Sequence, residues 1–120
     1  MANQDVLEVD IQSSNCERFP KIIADKFFNL RVLKIAGRII EITARDLERF
    51  TDLEELHLPN NQIRTMWSKV FEKNEKLRKI NLEGNQMTFV GSAIFFNLKS
   101  LTHLNLIGTR CFPKFNAKNR

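Results

Sequence analysis

Apolar residues in this chain follow neither the alternation of a half-buried strand nor the three-and-four spacing of a helix face. In LEELHLPNNQI (53–63) they fall at Leu53, Leu56, Leu58 and Ile63, offsets 0, 3, 5 and 10, with Asn61 at offset 8. The same set returns at Leu77, Ile80, Leu82, Asn85 and Met87, and again at Leu101, Leu104, Leu106, Thr109 and Cys111. Upstream it reads Leu30, Leu33, Ile35, Arg38 and Ile40, and before that Val6, Val9, Ile11, Ser14 and Cys16. Five units therefore start near residues 6, 30, 53, 77 and 101, with the second one residue shorter than the others. A fixed period of this length marks a solenoid. No single unit can bury its leucines alone, so successive coils stack and share one continuous core.

Within a unit, the three leading apolar residues predict a short strand and the turn that follows it. Asn61 and Asn85 stand where the chain bends, and a side-chain amide there can bond backbone groups that the bend leaves unpaired. Stacked, these residues form a ladder, with Ser14 and Thr109 as partial substitutes. Arg38 cannot be buried unpaired, so the short second unit must turn differently. Gly37, Gly84 and Gly108 all fall at offset 7, which points to a positive φ or a close backbone approach there. Asn60 is the next best tolerated residue at that position. The linking stretches, such as RTMWSKVFEKNE and TFVGSAIFFNLK, are short and apolar. They predict turns or 3₁₀ pieces on the outer wall, with Phe71, Phe95 and Phe96 in the core. Trp67 is a candidate for partial exposure and contact.

These offsets, together with Phe19, Met66 and Val90 at offset 13 and Phe71 and Phe95 at offset 18, resemble the 24-residue class of leucine-rich repeat proteins. The likeness covers residues 6–111. FPKIIADKFFNLRVLKI and IFFNLKSLTHLNLIGTRC further resemble secreted insect proteins of this kind. The resemblance implies an α/β solenoid: a right-handed coil of five repeats over residues 1–111, with a short parallel sheet on the concave face and turns on the convex one. Residues 112–120 are read as a basic C-terminal tail. The resemblance also implies a non-enzymatic protein-interaction module, secreted or part of a receptor ectodomain, whose concave face commonly binds its ligand. A cytosolic adaptor is the alternative, favoured by two cysteines placed too far apart to pair with each other and by the absence of any Asn-x-Ser/Thr site.

Charge adds little to this picture. The net charge is +5, yet residues 1–83 hold 14 basic and 14 acidic side chains. The excess lies at Lys99, Arg110, Lys114, Lys118 and Arg120, mostly in a solvated tail. Nucleic acid is therefore not an expected partner, although polyanion or carbohydrate binding by the basic end remains an alternative. No stretch approaches the roughly 18 apolar residues of a membrane span. His57 and His103 lie two coils apart with no Cys or Asp at ligand spacing, so no metal is expected. No phosphate loop, serine elbow or close Cys–His pair is present, and neither catalysis nor a cofactor is expected. Cys16 and Cys111 share offset 10 and are expected inside, about 19 Å apart across four coils, too far to pair. An uncapped first coil implies a piece of a longer protein or self-association through that coil.

The residues between the leucines define the candidate site. On a parallel stack they face the concave side in columns about 4.8 Å apart. One column reads Leu7, Arg31, Glu54, Arg78 and Thr102; the next Glu8, Val32, Glu55, Lys79 and His103; the third Asp10, Lys34, His57, Asn81 and Asn105. Signs alternate from coil to coil. Two roles are open: ion pairs that satisfy one another, each worth up to about 1 kcal/mol, or a charged patch that reads a partner. The binding candidates are Arg31, Lys34, Glu54, Glu55, His57, Arg78, Lys79 and Asn81, on a face without the aromatic anchors common at hot spots.

Overall fold

A computed structural model describes residues 4–12, 15–91 and 93–108. Ser14, Thr109, Cys111 and the basic tail lie outside the described residues. The strands are β1 (Glu8–Ile11), β2 (Val32–Ile35), β3 (Glu55–His57), β4 (Thr65–Met66), β5 (Lys79–Asn81), β6 (Phe89–Val90) and β7 (His103–Asn105). β1, β2, β3, β5 and β7 form one parallel sheet in that order, and β4 pairs with β6 in a second. Leu33 stands opposite Leu56, Leu56 opposite Ile80 and Ile80 opposite Leu104. Each coil thus repeats the register of the one before. This is the expected leucine-rich solenoid.

The leading leucines point inward because alternate residues of a strand face opposite sides of the sheet. Leu30, Leu33, Leu53, Leu56, Leu77 and Ile80 are all buried, and the core runs unbroken from Phe19 to Leu98. The ladder lies beside it. Asn61 Nδ2 donates to the Ile35 carbonyl at 2.9 Å, while its Oδ1 accepts from the Ile39 amide at 3.1 Å. Asn85 repeats this one coil on, with Leu58 O at 2.7 Å and the Ile63 amide at 3.1 Å. Each amide therefore completes the turn of the preceding coil. Asn60, Gly84 and Gly108 adopt positive φ at 57°, 76° and 82°. A Cβ on Gly84 would overlap the Asn60 side chain.

The second coil departs from the expected pattern. Ile39 occupies the interior slot and Ile40 is 44% exposed, because the missing residue falls in the turn and shifts the register by one. Gly37 is not among the residues with positive φ, and Arg38 is exposed. Cys16 is also exposed, not interior, and Phe96 stands at 70% exposure on the outer wall.

That wall is not all turns. α1 (Ile22–Lys26) and α2 (Ala44–Leu47) are short helices in the first two coils. Thr43 caps α2: its hydroxyl accepts from the Asp46 amide while the Asp46 carboxylate accepts from the Thr43 amide, a reciprocal capping box. Asn74 sits where the neighbouring coils place Phe50 and Leu98. It is fully buried, and Nδ2 donates to the carbonyls of Leu47 and Phe50 at 2.9 and 3.0 Å. It joins the outer walls of two coils.

Candidate functional site

The concave face is built by strand register. Because β2, β3, β5 and β7 align without slip, Lys34, His57, Asn81 and Asn105 form one row. Glu55, Lys79 and His103 form the next. Arg31, Glu54 and Arg78 precede their strands and are tied by backbone bonds, Glu54 N–H to Arg31 O and Arg78 N–H to Glu54 O, both 2.8 Å.

Arg78 organises the side chains. Its Nε lies 3.3 Å from Glu54 Oε1 and its Nη2 2.8 Å from Glu55 Oε2, so one guanidinium fork holds two carboxylates. Arg31 approaches the other Glu54 oxygen at 3.8 Å, and Lys34 stands 3.8 Å from Glu8. His57 Nε2 lies 3.0 Å from Glu55 Oε1. On the rim, Lys76 pairs with Asp52 at 2.8 Å. Glu8, Asp52, Glu54 and Glu55 are thus each engaged, while the Arg31 side chain keeps 61% of its surface in water. Fixed positive groups on a rigid sheet can meet carboxylates or carbonyls of a partner without reordering.

The hydrogen bond from His57 holds the Glu55 carboxyl below its usual range, and the charges of Lys79 and Arg78 act in the same direction against a burial effect that opposes them. Lys76 does the same for Asp52, chiefly through its hydrogen bond. A carboxyl with a depressed folded-state pKa binds fewer protons folded than unfolded at intermediate pH. Its stabilisation is present above the unfolded value near 4.5 for Glu55 and is lost as pH falls through the folded one. Replacing Glu55 with Gln is expected to flatten the stability–pH curve below that point, relative to the parent, in denaturation series at successive pH values. An unchanged acid limb would remove Glu55 from this account.

All eight sequence-derived binding candidates lie on this one face. The reading missed the Asp52–Lys76 rim pair, which the unit boundary conceals, and the exposure of Phe89, whereas Trp67 is exposed as expected. Trp67 is 58% and Phe89 45% exposed, and their rings meet at 5.2 Å between centroids. Strand alternation at β6 places Phe89 outward, a signal that two-residue strands make faint. Among the described residues, no three His, Cys, Asp or Glu side chains converge to hold a metal ion, and no helix is long and apolar enough to cross a membrane.

The sequence profile described as Leucine rich repeat matches residues 51–110, half the chain. No curated protein matches it in sequence. Among solved structures it is similar to TLR13 in its complex with ssRNA13, at a TM-score of 0.76 and 25% identity, covering 83% of this chain and 14% of that one. It is also similar to the complex of Toll with Spatzle, a molecular hub in Drosophila development and innate immunity. There the TM-score is 0.80 at 21% identity, with 89% of this chain and 14% of that one covered, a likeness of fold alone. The chain spans about one seventh of either. With the profile match, the coil register and the asparagine ladder in agreement, the chain belongs to the leucine-rich repeat family.

Proposed function

We propose that this chain is a non-enzymatic recognition module that binds a protein ligand through the concave residues Arg31, Lys34, Glu54, Glu55, His57, Arg78, Lys79 and Asn81, in a secreted protein or receptor ectodomain. The observation that carries the reading is the Arg78 fork on Glu54 and Glu55 at 3.3 and 2.8 Å. It sets several charges in fixed positions on an open face. Such pre-ordered charges steer association and select partners more than they add raw affinity. Toll, one of the similar structures, is in complex with the protein Spatzle, which supports a protein as the ligand class and an extracellular setting.

The test is capture from extracellular fluid and from cytosol of the source organism, with the parent chain and with a variant carrying Glu54→Ala, Glu55→Ala, Arg78→Ala and Lys79→Ala. The expected result is a partner held by the parent, from the extracellular fraction, and lost from the folded variant. For the purified partner, Arg78→Ala alone is expected to weaken binding about tenfold, roughly 1.4 kcal/mol. Equal capture by both would make the charge ladder a structural device only.

A further inference from the structure

The flank of the solenoid beyond the ladder is bonded coil to coil, with one gap. Between the first two coils, Arg18 bridges Glu41 and the Ile40 amide donates to Glu17 O at 3.0 Å. Between the third and fourth, the amides of Thr88 and Phe89 donate to Arg64 O, and that of Gly91 to Met66 O at 2.7 Å. Between the second and third, Gln62 N–H meets Ile39 O at 2.8 Å. Beyond that bond, among the described residues, no backbone hydrogen bond joins residues 40–43 to residues 64–67. The gap coincides with the coil that is one residue short. A cleft of about 420 Å³ opens there, lined by Ile40, Glu41, Gln62, Arg64 and Thr65. At its edge Thr65 stands opposite Phe89, whose ring meets Trp67.

We propose that this flank cleft is a second binding site, distinct from the concave face, that takes an extended peptide segment of a partner protein. The chemistry fits a peptide group. Among the described residues, neither Glu41 nor Arg64 makes an ion pair. One offers an acceptor and the other several donors, the complements of a backbone N–H and C=O. The β4 edge facing the gap adds backbone groups of the kind that recruit extended chains. Trp67 and Phe89 then supply the aromatic anchor for an apolar side chain, residue types enriched at the cores of interfaces. Charge argues against nucleic acid, since the acids Glu17 and Glu41 interleave with Arg18, Arg38 and Arg64. A phosphate backbone is held by unopposed cations.

Trp67 is the sole tryptophan of the chain, so its fluorescence reports on this face alone. The experiment selects a random linear peptide library on the full chain and titrates the recovered peptides while following Trp67 emission. The expected result is a blue-shifted or quenched emission, with affinity about tenfold weaker on Arg64→Ala and on Phe89→Ala and unchanged on Arg78→Ala. Both flank positions are exposed, and circular dichroism checks that the variants fold. Three results overturn the proposal. Recovered peptides bind the flank variants as tightly as the parent, or no recovered peptide moves the emission, or a short oligouridine moves it where peptides do not.

Discussion

Asn85→Ala is expected to cost about 3–5 kcal/mol, a large part of the whole stability of a domain this size. The side chain is 1% exposed and makes three bonds. Nδ2 serves Leu58 O at 2.7 Å and Leu82 O at 3.0 Å, while Oδ1 receives the Ile63 amide. Alanine leaves three buried backbone groups without partners, and each unpaired group costs roughly 1–3 kcal/mol. Urea denaturation gives the loss. Amide exchange gives its location, because the Ile63 N–H should lose protection beyond the global change. Asn81→Ala is the control: the same residue type on the concave face, where Oδ1 accepts only the exposed Glu83 amide at 3.0 Å. If both variants lose the same stability, or Asn85→Ala loses under about 1 kcal/mol, the ladder does not hold the coils as described.

Phe50→Ala should cost a similar amount, about 3–5 kcal/mol, by a different route. Phe50 has no exposed surface. Its ring meets Phe19 of the first coil edge-on at 6.2 Å, and its carbonyl accepts from Leu53 N–H at 3.2 Å and Asn74 Nδ2 at 3.0 Å. The ring packs against the first coil, while the backbone carbonyl is held by the third. A cavity there removes packing at the seam with the first coil, and stacked coils share stability only with their neighbours. The expected drop in melting temperature is about 10 °C or more. Phe96→Ala, on a side chain 70% exposed, should change it little. A Phe50 variant that melts with the parent would mean the wall collapses without loss.

The period of the leucines made the sheet legible before any coordinate. Apolar residues at offsets 3 and 5 allow one inward arrangement, so Leu33, Leu56 and Ile80 had to align. The glycines at offset 7 were legible for the same reason, except Gly37. Its coil lacks one residue, and a deletion has no position in a pattern until the turn is seen to choose Ile39 over Ile40. The cleft beside Ile40 was hidden with it. α2 had a signal in Thr43 and Asp46, but four helical residues lie below what periodicity can register. On the concave face, the columns of alternating charge were readable. That Arg78 takes both Glu54 and Glu55 was not, since side-chain choice among near neighbours depends on geometry finer than register.

The direction of the asparagine bonds has a consequence for synthesis. Asn61 serves Ile35 and Ile39, and Asn85 serves Leu58 and Ile63, always backwards along the chain. A ribosome delivers the N-terminus first, so the turn ending at Ile63 waits with its groups unpaired until Asn85, 22 residues later, has emerged. The bonding is vectorial: each coil closes the turn of the one made before it, and a nascent chain has its last turn still unclosed at the growing end.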